Sequence, residues 1–372
     1  MTSSSRTLSD SERRAWLRLA RTQNVGPVTF AQLIARFGSA AASLAELPRL
    51  SRRGGGEPLQ PPPDAAAREE IEKLHGIGGR LIACIEPEFP RGLAALDPPP
   101  PIISVLGHLA LLRREMVAIV GARNASALGR KLAGTLAKDL GEAGFVVVSG
   151  LARGIDTAAH EGSLAGGTCA VMAGGADVVY PPENTALHER IRSEGTIVSE
   201  MPLGQTPQAR HFPRRNRLIS GMARGVIVVE AAEGSGSLIT ANYALEQNRE
   251  IFAVPGSPLD PRAKGTNRLI REGATLIETA DDVIAILRPI LGRDFREPEH
   301  KSVPALAEQA ALEAEADRIR RQIEEALGPA PVDVDDLIRL CKAPAPAVLT
   351  VLLELELAGR LARHSGNRVS WA

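Results

Sequence analysis

A cluster of arginines is the clearest chemical signal in this chain. The stretch between Met201 and Val229 holds five arginines and no acidic residue, whereas the 44 basic and 44 acidic residues of the whole chain balance. Guanidinium groups are permanently charged, forked donors that match phosphate oxygens. Phe212, within the cluster, offers a ring on which a base could stack. The cluster alone is equally compatible with a solvated basic surface, so its position in the fold must decide.

Six short apolar runs predict that fold. Each run is nearly continuous in apolar residues, which is typical of parallel strands covered on both faces. The runs are residues 117–121, 145–150, 169–174, 196–200, 225–230 and 251–256. Segments with helical spacing separate them. The alternation predicts an α/β domain with a Rossmann-like, doubly wound, mostly parallel sheet.

Polar motifs follow these runs at the points where the strands should end. Ligands of open parallel sheets bind at that edge, and helix N-termini there favour anions. We expect a phosphate-binding crevice with an anion nest of backbone amides. Its predicted nest is Gly234, Ser235, Gly236 and Ser237, and its predicted cations are Arg123, Arg153, Arg215, Arg217 and Lys264.

Other familiar site types do not match the sequence. The first strand is followed by Gly121-Ala122-Arg123 rather than G-x-G-x-x-G, and no Walker A motif occurs, which argues against a dinucleotide or nucleoside-triphosphate cofactor. Asp156 and His160 could share a helix face as metal ligands, but no further ligands accompany them. Asp156 could also be a general base, although capping its helix or holding Arg153 is the favoured interpretation. We therefore predict no metal, no cofactor and no catalytic residue.

The two ends of the chain predict small helical modules. Residues 1–85 read as short helices joined by Gly-containing turns, similar to SAM-like or helix-hairpin-helix units, whose turn amides either hold a DNA phosphate or serve packing only. Residues 305–372 read as helices followed by a hairpin, as in a winged helix. The helix expected at 345–357 has no Lys or Arg, which favours protein contacts over DNA contacts. The predicted domains are 1–85, 86–290, a linker at 291–304, and 305–372.

Composition limits the setting in which the protein works. The three cysteines are far apart in the sequence and predict neither a disulfide framework nor a metal site. No apolar run reaches the roughly 20 residues of a membrane span, and the N-terminus lacks the apolar segment of a secretory signal. We expect a cytoplasmic protein without a membrane partner.

Three motifs together resemble one known family. They are Ser149-Gly150-Leu151-Ala152-Arg153-Gly154-Ile155-Asp156, Phe212-Pro213-Arg214-Arg215-Asn216-Arg217-Leu218-Ile219-Ser220-Gly221 and Ser235-Gly236-Ser237-Leu238-Ile239-Thr240-Ala241. In order and spacing they resemble the DNA processing protein A family, also called DprA or Smf. The resemblance covers residues 89–287, and the flanking modules match more loosely.

The resemblance implies a single-stranded DNA-binding protein of natural transformation rather than an enzyme. Such proteins dimerise through the Rossmann-like domain and help to load RecA recombinase on incoming DNA. Motif by motif, the resemblance implies phosphate contacts from Arg123 and Arg153 and a base beside Phe212. The other implied DNA-binding residues are Arg215, Asn216 and Arg217 in the pocket wall, Lys264 and Asn267 at the rim, and Arg210, whose register is loose.

Two other functions stay open at the level of sequence. Related Rossmann-like proteins hydrolyse nucleoside monophosphates at the N-glycosidic bond, but this chain lacks their Gly-Gly-Gly-x-Gly-Thr-x-x-Glu motif, so no carboxylate is in place to activate water. The third possibility is an adaptor whose winged helix docks a partner and whose arginines are dispensable.

Overall fold

A computed structural model describes residues 6–291, 295, 306–364 and 366–372. The chain divides into two compact units. Of the described residues, one unit contains Arg6, Thr7, residues 69–291 and Phe295, and the other combines residues 8–68 with 306–364 and 366–372. We call them the sheet unit and the terminal unit. The predicted linker 291–304 lies outside the described residues except for Leu291 and Phe295.

The sheet unit is built on nine strands. In chain order they are β1 Arg80–Ala83, β2 Ile102–Gly107, β3 Met116–Val120, β4 Val146–Ser149, β5 Thr168–Met172, β6 Thr196–Ser199, β7 Gly225–Val228, β8 Glu250–Ala253 and β9 Thr275–Leu276. Their spatial order is β1-β2-β6-β5-β4-β3-β7-β8-β9. In this spatial order, the seven strands from β6 to β9 pair in parallel, whereas β1 and β2 form an antiparallel extension beside β6. The strand order reverses between β3 and β7, and ligands of such sheets bind at this kind of switch point.

Helices cover both faces of this sheet. The helices of the unit are α4 Asp64–Gly76, α5 Arg91–Ala94, α6 Ala127–Glu142, α7 Ile155–Ser163, α8 Thr185–Glu194, α9 His211–Met222, α10 Gly236–Glu246, α11 Lys264–Arg271 and α12 Ala280–Leu287. Helix α4 begins five residues before the boundary of the unit at residue 69. Successive strand residues enter opposite cores: Val146 and Val148 join one apolar cluster and Val147 joins the other. Because both faces are buried, the strands are nearly continuous in apolar residues.

The terminal unit joins helices from both ends of the chain. Its N-terminal helices are α1 Asp10–Arg21, α2 Pro27–Phe37 and α3 Ala40–Arg53. Its C-terminal part consists of α13 Leu306–Ala326, β10 Val332–Asp333, α14 Val334–Cys341, α15 Ala345–Leu357, β11 Leu361–His364 and β12 Arg368–Trp371. The three strands form a small antiparallel sheet in the order β10-β12-β11.

The predicted fold class is confirmed. All six apolar runs are strands of one mostly parallel sheet, and the C-terminal part has the winged-helix order of elements. The sequence pattern did not predict β1, β2 or β9. The predicted domain boundaries stay predictions. Among the described residues, no single helix is long and apolar enough to cross a bilayer, and α2 with α3 meets that test only as a pair bent by 106°.

Candidate functional site

A cavity of about 560 Å³ opens at the switch point of the sheet. Its walls come from the segment after β3, the segment after β7, and the N-terminal turns of α9 and α10. The residues that define it chemically are Gly121, Arg123, Asn124, Asp156, Phe212, Arg215, Asn216, Glu233, Gly234, Ser235, Gly236, Ser237 and Arg262. The structure therefore brings together motifs that are more than 100 residues apart in the sequence.

Arg215 lies on the floor of this cavity. It is carried by α9, on the face that buries Leu218, Ile219 and Met222 in the core beneath the sheet. Only 6% of the Arg215 residue is exposed, and its Nε has no hydrogen-bond partner. A buried donor without a partner costs free energy, and a bound anion would remove that cost.

Asp156 is the counter-ion beneath Arg215. Its Oδ2 accepts hydrogen bonds from the backbone N–H of Gly150 (3.1 Å) and Ala152 (3.3 Å), and lies 3.9 Å from Arg215 Nη1. Burial raises the pKa of Asp156, and the positive charge of Arg215 opposes that rise. Burial lowers the pKa of Arg215, Asp156 opposes this, and Arg123 adds to it. Asp156 is thus committed to holding the loop and the arginine.

Gly150 makes room for the guanidinium. A Cβ atom at this position would overlap the Arg215 guanidinium, so the floor of the cavity depends on a residue without a side chain. His160 holds the same loop in place. Its Nε2 accepts a hydrogen bond from the Leu151 N–H at 3.3 Å, and its Nδ1 lies 2.7 Å from Thr168 Oγ1. Burial, aided by the charge of Arg215, lowers the pKa of His160 to about 3, and the imidazole is therefore neutral at ordinary pH.

An aromatic ring stands over this floor. The guanidinium carbons of Arg123 and Arg215 lie 5.3 and 5.9 Å from the centroid of Phe212. Tyr180 meets the same ring edge-on, with centroids 5.8 Å apart and planes at 60°. Phe212, Arg123 and Arg215 also border a narrower recess lined by Tyr180 and Arg153. The site thus pairs two cations with an aromatic surface.

The loop before α10 provides backbone donors. Ser235 caps the helix, accepting from Ser237 N–H, and its hydroxyl lies 2.8 Å from that of Ser237. Gly234 has φ +75°, a conformation that favours glycine. A Cβ at Gly234 or Gly236 would meet no atom within 4 Å, which means that the loop faces open space. This arrangement suits an approaching anion.

The remaining predicted site residues are placed differently. Asn216 lines the cavity and donates to Gly236 O at 3.2 Å, and Arg153 lines the recess, 3.5 Å from Glu183. Arg217 donates to Pro98 O and lies 3.7 Å from Glu200. Asn267 exchanges hydrogen bonds with the backbone of Gly256.

Within the described part of the chain, four of the predicted residues line neither the cavity nor the recess. They are Arg210, Arg217, Lys264 and Asn267. Their roles stay predictions. Tyr180 is the clearest residue that sequence reasoning missed. It follows β5 at the same edge of the sheet and is one of two tyrosines in the chain, so the rule that found the glycine loops could have found it.

His160 and Asp156, the two candidate metal ligands, have partners within the protein. Among the described residues there is no group of three or more His, Cys, Asp and Glu side chains that could hold an ion. Both nitrogens of His160 and one oxygen of Asp156 are engaged within the protein.

Comparison with known proteins assigns this architecture. Residues 80–288 match the family model for DNA recombination-mediator protein A, residues 10–72 that for the DprA-like N-terminal HHH domain, and residues 307–367 that for the DprA winged helix domain. The chain belongs to the DNA processing protein A (DprA/Smf) family. The predicted resemblance is confirmed, and it extends over both flanking modules.

Individual members of the DprA/Smf family show how far the similarity reaches. DNA processing protein DprA of Bacillus subtilis is 40% identical over 248 residues, covering 63% of this chain and 83% of that protein. Protein Smf of Synechocystis is 31% identical over 400 residues, covering 97% of this chain and 99% of its own length. The X-ray structure of DprA from Streptococcus pneumoniae superposes with a TM-score of 0.64 at 33% identity, over 75% of this chain and 98% of that one.

A second solved structure concerns a protein that binds DNA. The DNA processing protein A of Helicobacter pylori, described for its unique single-stranded DNA binding mode, superposes with a TM-score of 0.51 at 31% identity. The superposition covers 54% of this chain and 94% of the Helicobacter pylori chain.

Proposed function

We propose that this chain binds single-stranded DNA in the cavity at the switch point of its sheet. We propose further that it protects incoming strands in the cytoplasm during natural transformation and helps to load RecA recombinase on them. The single observation that carries the proposal is the buried Arg215, whose Nε lacks a partner, lying beneath an aromatic ring.

The chemistry of the cavity suits one nucleotide unit of a strand. Phosphate oxygens would accept from Arg215, from Arg123 and from the backbone amides before α10, since all three face one space. Charge-assisted hydrogen bonds of this kind are the strong ones. A base would pack on Phe212, whose ring is already flanked by cations and by Tyr180. Base–aromatic stacking tolerates any sequence.

The same geometry favours single strands over duplexes. A base can reach the ring of Phe212 only when it is splayed out of its stack, and this is cheapest in a strand that is already unpaired. The relative from Helicobacter pylori, whose single-stranded DNA binding is described, supports the proposal through shared family and fold.

We propose in addition that the protein binds DNA without catalysing a reaction on it. Asp156, a candidate base, accepts two backbone N–H groups and faces a guanidinium, and the nest serines hydrogen-bond to one another. The competing function is hydrolysis of nucleoside monophosphates in the same cavity, which would require an activated water.

Fluorescence anisotropy tests the proposal directly. Labelled single-stranded and duplex oligonucleotides of one sequence are titrated with the full chain over a salt series. We expect preference for the single strand and affinity that falls linearly with the logarithm of salt concentration. Absence of single-strand binding would contradict the proposal, and release of free base from nucleoside monophosphates would favour the hydrolase instead.

Dimerisation and RecA loading form the finer part of the proposal. One cavity spans few nucleotides, so two cavities joined in a homodimer through the sheet unit would gain affinity by effective concentration. Strand β9 ends the sheet and carries Leu276, 47% exposed, which supports association along this edge. Sedimentation analysis tests the dimer, and the rate of RecA filament growth on single strands, with and without the protein, tests the loading.

A further inference from the structure

In the winged helix of this chain, the helix at the DNA-recognition position is covered by other parts of the protein. In a winged helix that reads DNA, the helix before the hairpin enters the major groove, and here that helix is α15. Every residue from Ala347 to Leu357 is buried except Leu349 and Glu356, which are partly buried. A helix that reads bases must expose one face, and this one does not.

Two different cores cover α15. One face contributes Val348, Val351, Leu352 and Leu355 to the apolar cluster of the winged helix itself. The other face packs against α2 and α3, the N-terminal helices of the same unit. Gly54, at the C-terminal end of α3, approaches so closely that a Cβ there would overlap the Glu354 carbonyl. At Gly56 a Cβ would lie 2.9 Å from that of Ala358.

A buried ion pair also joins α15 to α3. The side chain of Glu354 is fully buried and bonds two arginines from different parts of the chain, Arg53 of α3 at 2.8 Å and Arg320 of α13. A buried carboxylate needs cationic partners, and Arg53 of α3 is one of the two that Glu354 has.

A second ion-pair group supports the same contact. Glu313 of α13 accepts from Arg36 at 2.7 Å and from Arg49 at 2.9 Å, and Arg360 reaches across to the carbonyl of Gly54 at 3.0 Å.

The end of α15 also meets the first N-terminal turn. Asn24, which opens the turn before α2, donates from Nδ2 to the Leu357 carbonyl at 3.3 Å. This is the Gly-containing turn whose amides, in a helix-hairpin-helix unit, would face a DNA phosphate. The hairpin turn and the recognition helix therefore lie against each other.

We infer that α15 is a protein-binding helix and that its occupant is the N-terminal helices α2 and α3 of the same chain. The two ends of the polypeptide thus fold as one unit, and the winged helix is a clamp for the N-terminal helices rather than a reader of duplex DNA. The lack of Lys and Arg on residues 345–357 agrees with a face built for protein.

Gly54→Ala in the full chain tests the contact. Gly54 has φ −73°, which any residue adopts, so the alanine leaves the backbone of α3 unstrained. It acts through the overlap with the Glu354 carbonyl and through the Ala358 Cβ, 2.9 Å away. Gly328→Ala is the matched control, because a Cβ there meets nothing within 4 Å. Overpacking of this kind should lower the melting temperature of the terminal unit by roughly 5 °C or more and accelerate protease cleavage near residue 54. Equal behaviour of the two variants would overturn the inference.

A cysteine pair keeps the inference testable if Gly54→Ala fails to fold. Gly56→Cys with Ala358→Cys brings two Cβ atoms to 2.9 Å, and the new Cβ at residue 56 would lie 2.8 Å from Ala358 Cα. The segment that carries residue 56 must therefore move outward to reach the Cβ separation of a disulfide, about 3.5–4.5 Å. Under mild oxidation the full chain should lose both added thiols and yield a peptide joining residues 56 and 358 of one chain. Free thiols would overturn the inference, and so would a bridge only between two chains. The two single-cysteine variants are the controls.

Discussion

Gly150→Ala should disable the proposed DNA site while leaving the fold in place. Its Cβ would overlap the far end of Arg215, a flexible side chain, so the guanidinium can move aside instead of the backbone. Asp156 keeps its bonds to the Gly150 and Ala152 amides. We therefore expect a modest loss of stability, about 1–3 kcal/mol for the broken buried pair, and a specific loss of the cation on the cavity floor.

The loss of affinity can be bounded from the contact that disappears. One phosphate-binding arginine contributes about 1–3 kcal/mol, which corresponds to roughly 5- to 150-fold weaker binding. The slope of log K against log salt should fall by about 0.7, the value for one phosphate of a single strand. Gly76→Ala is the matched control, since a Cβ at Gly76 meets nothing within 4 Å.

A double-mutant cycle separates this mechanism from general damage. If Gly150→Ala acts by evicting the guanidinium, it should add almost nothing to Arg215→Ala in anisotropy titrations. Additive losses would mean that Gly150 acts on the site by another route. Wild-type affinity and salt slope in Gly150→Ala would refute the assignment of Arg215 to the DNA site altogether.

Three other variants probe the remaining parts of the site. Arg123→Ala should weaken single-strand binding by about 1–3 kcal/mol and reduce the salt slope, and an unchanged slope would exclude a phosphate contact. Phe212→Leu should cost about 1–3 kcal/mol of stacking while the slope stays constant, and a changed slope would point to a displaced arginine instead. His160 has its pKa lowered to about 3 in the folded protein, so the unfolded chain takes up the proton first as pH falls below about 6.5. His160 should therefore remove about 1.4 kcal/mol of stability per pH unit below that value. In urea unfolding between pH 7 and 5, His160→Gln should show a flatter loss than the wild type, and parallel curves would contradict the buried neutral imidazole.

The sheet could be predicted because burial on both faces leaves a strong local signal. Each of the six central strands is short, apolar and bounded by glycine or polar residues, and alternate residues such as Val147 and Val148 enter opposite cores. Strands β1 and β9 gave no such signal. They lie at the edges of the sheet, and Arg80 and Leu276 are exposed there, so the apolar pattern is incomplete.

The spatial grouping of these motifs could be predicted from one rule of topology. Placing the carboxyl ends of β3, β4 and β7 at one edge brings Arg123, Gly150 and the loop before α10 together, as the structure does. Arg217 was expected beside Arg215, but residues two apart on a helix point in different directions. Its guanidinium instead bonds Pro98 O. The 3.6-residue period of α9 would have predicted that the side chains of Arg215 and Arg217 lie on different faces of the helix.

Long-range partners set the limit of sequence reasoning. Asp156 was interpreted as a cap or as the partner of an arginine, and the sequence offered Arg153 because it is near in the chain. The fold gives Asp156 instead to Arg215, 59 positions away, and leaves Arg153 beside Glu183. This exchange changes the chemistry, because Arg215 is buried with a spare donor whereas Arg153 is exposed. The charge that best fits a bound phosphate is thus defined by a contact that only the folded chain makes, and Gly150 is the residue that permits it.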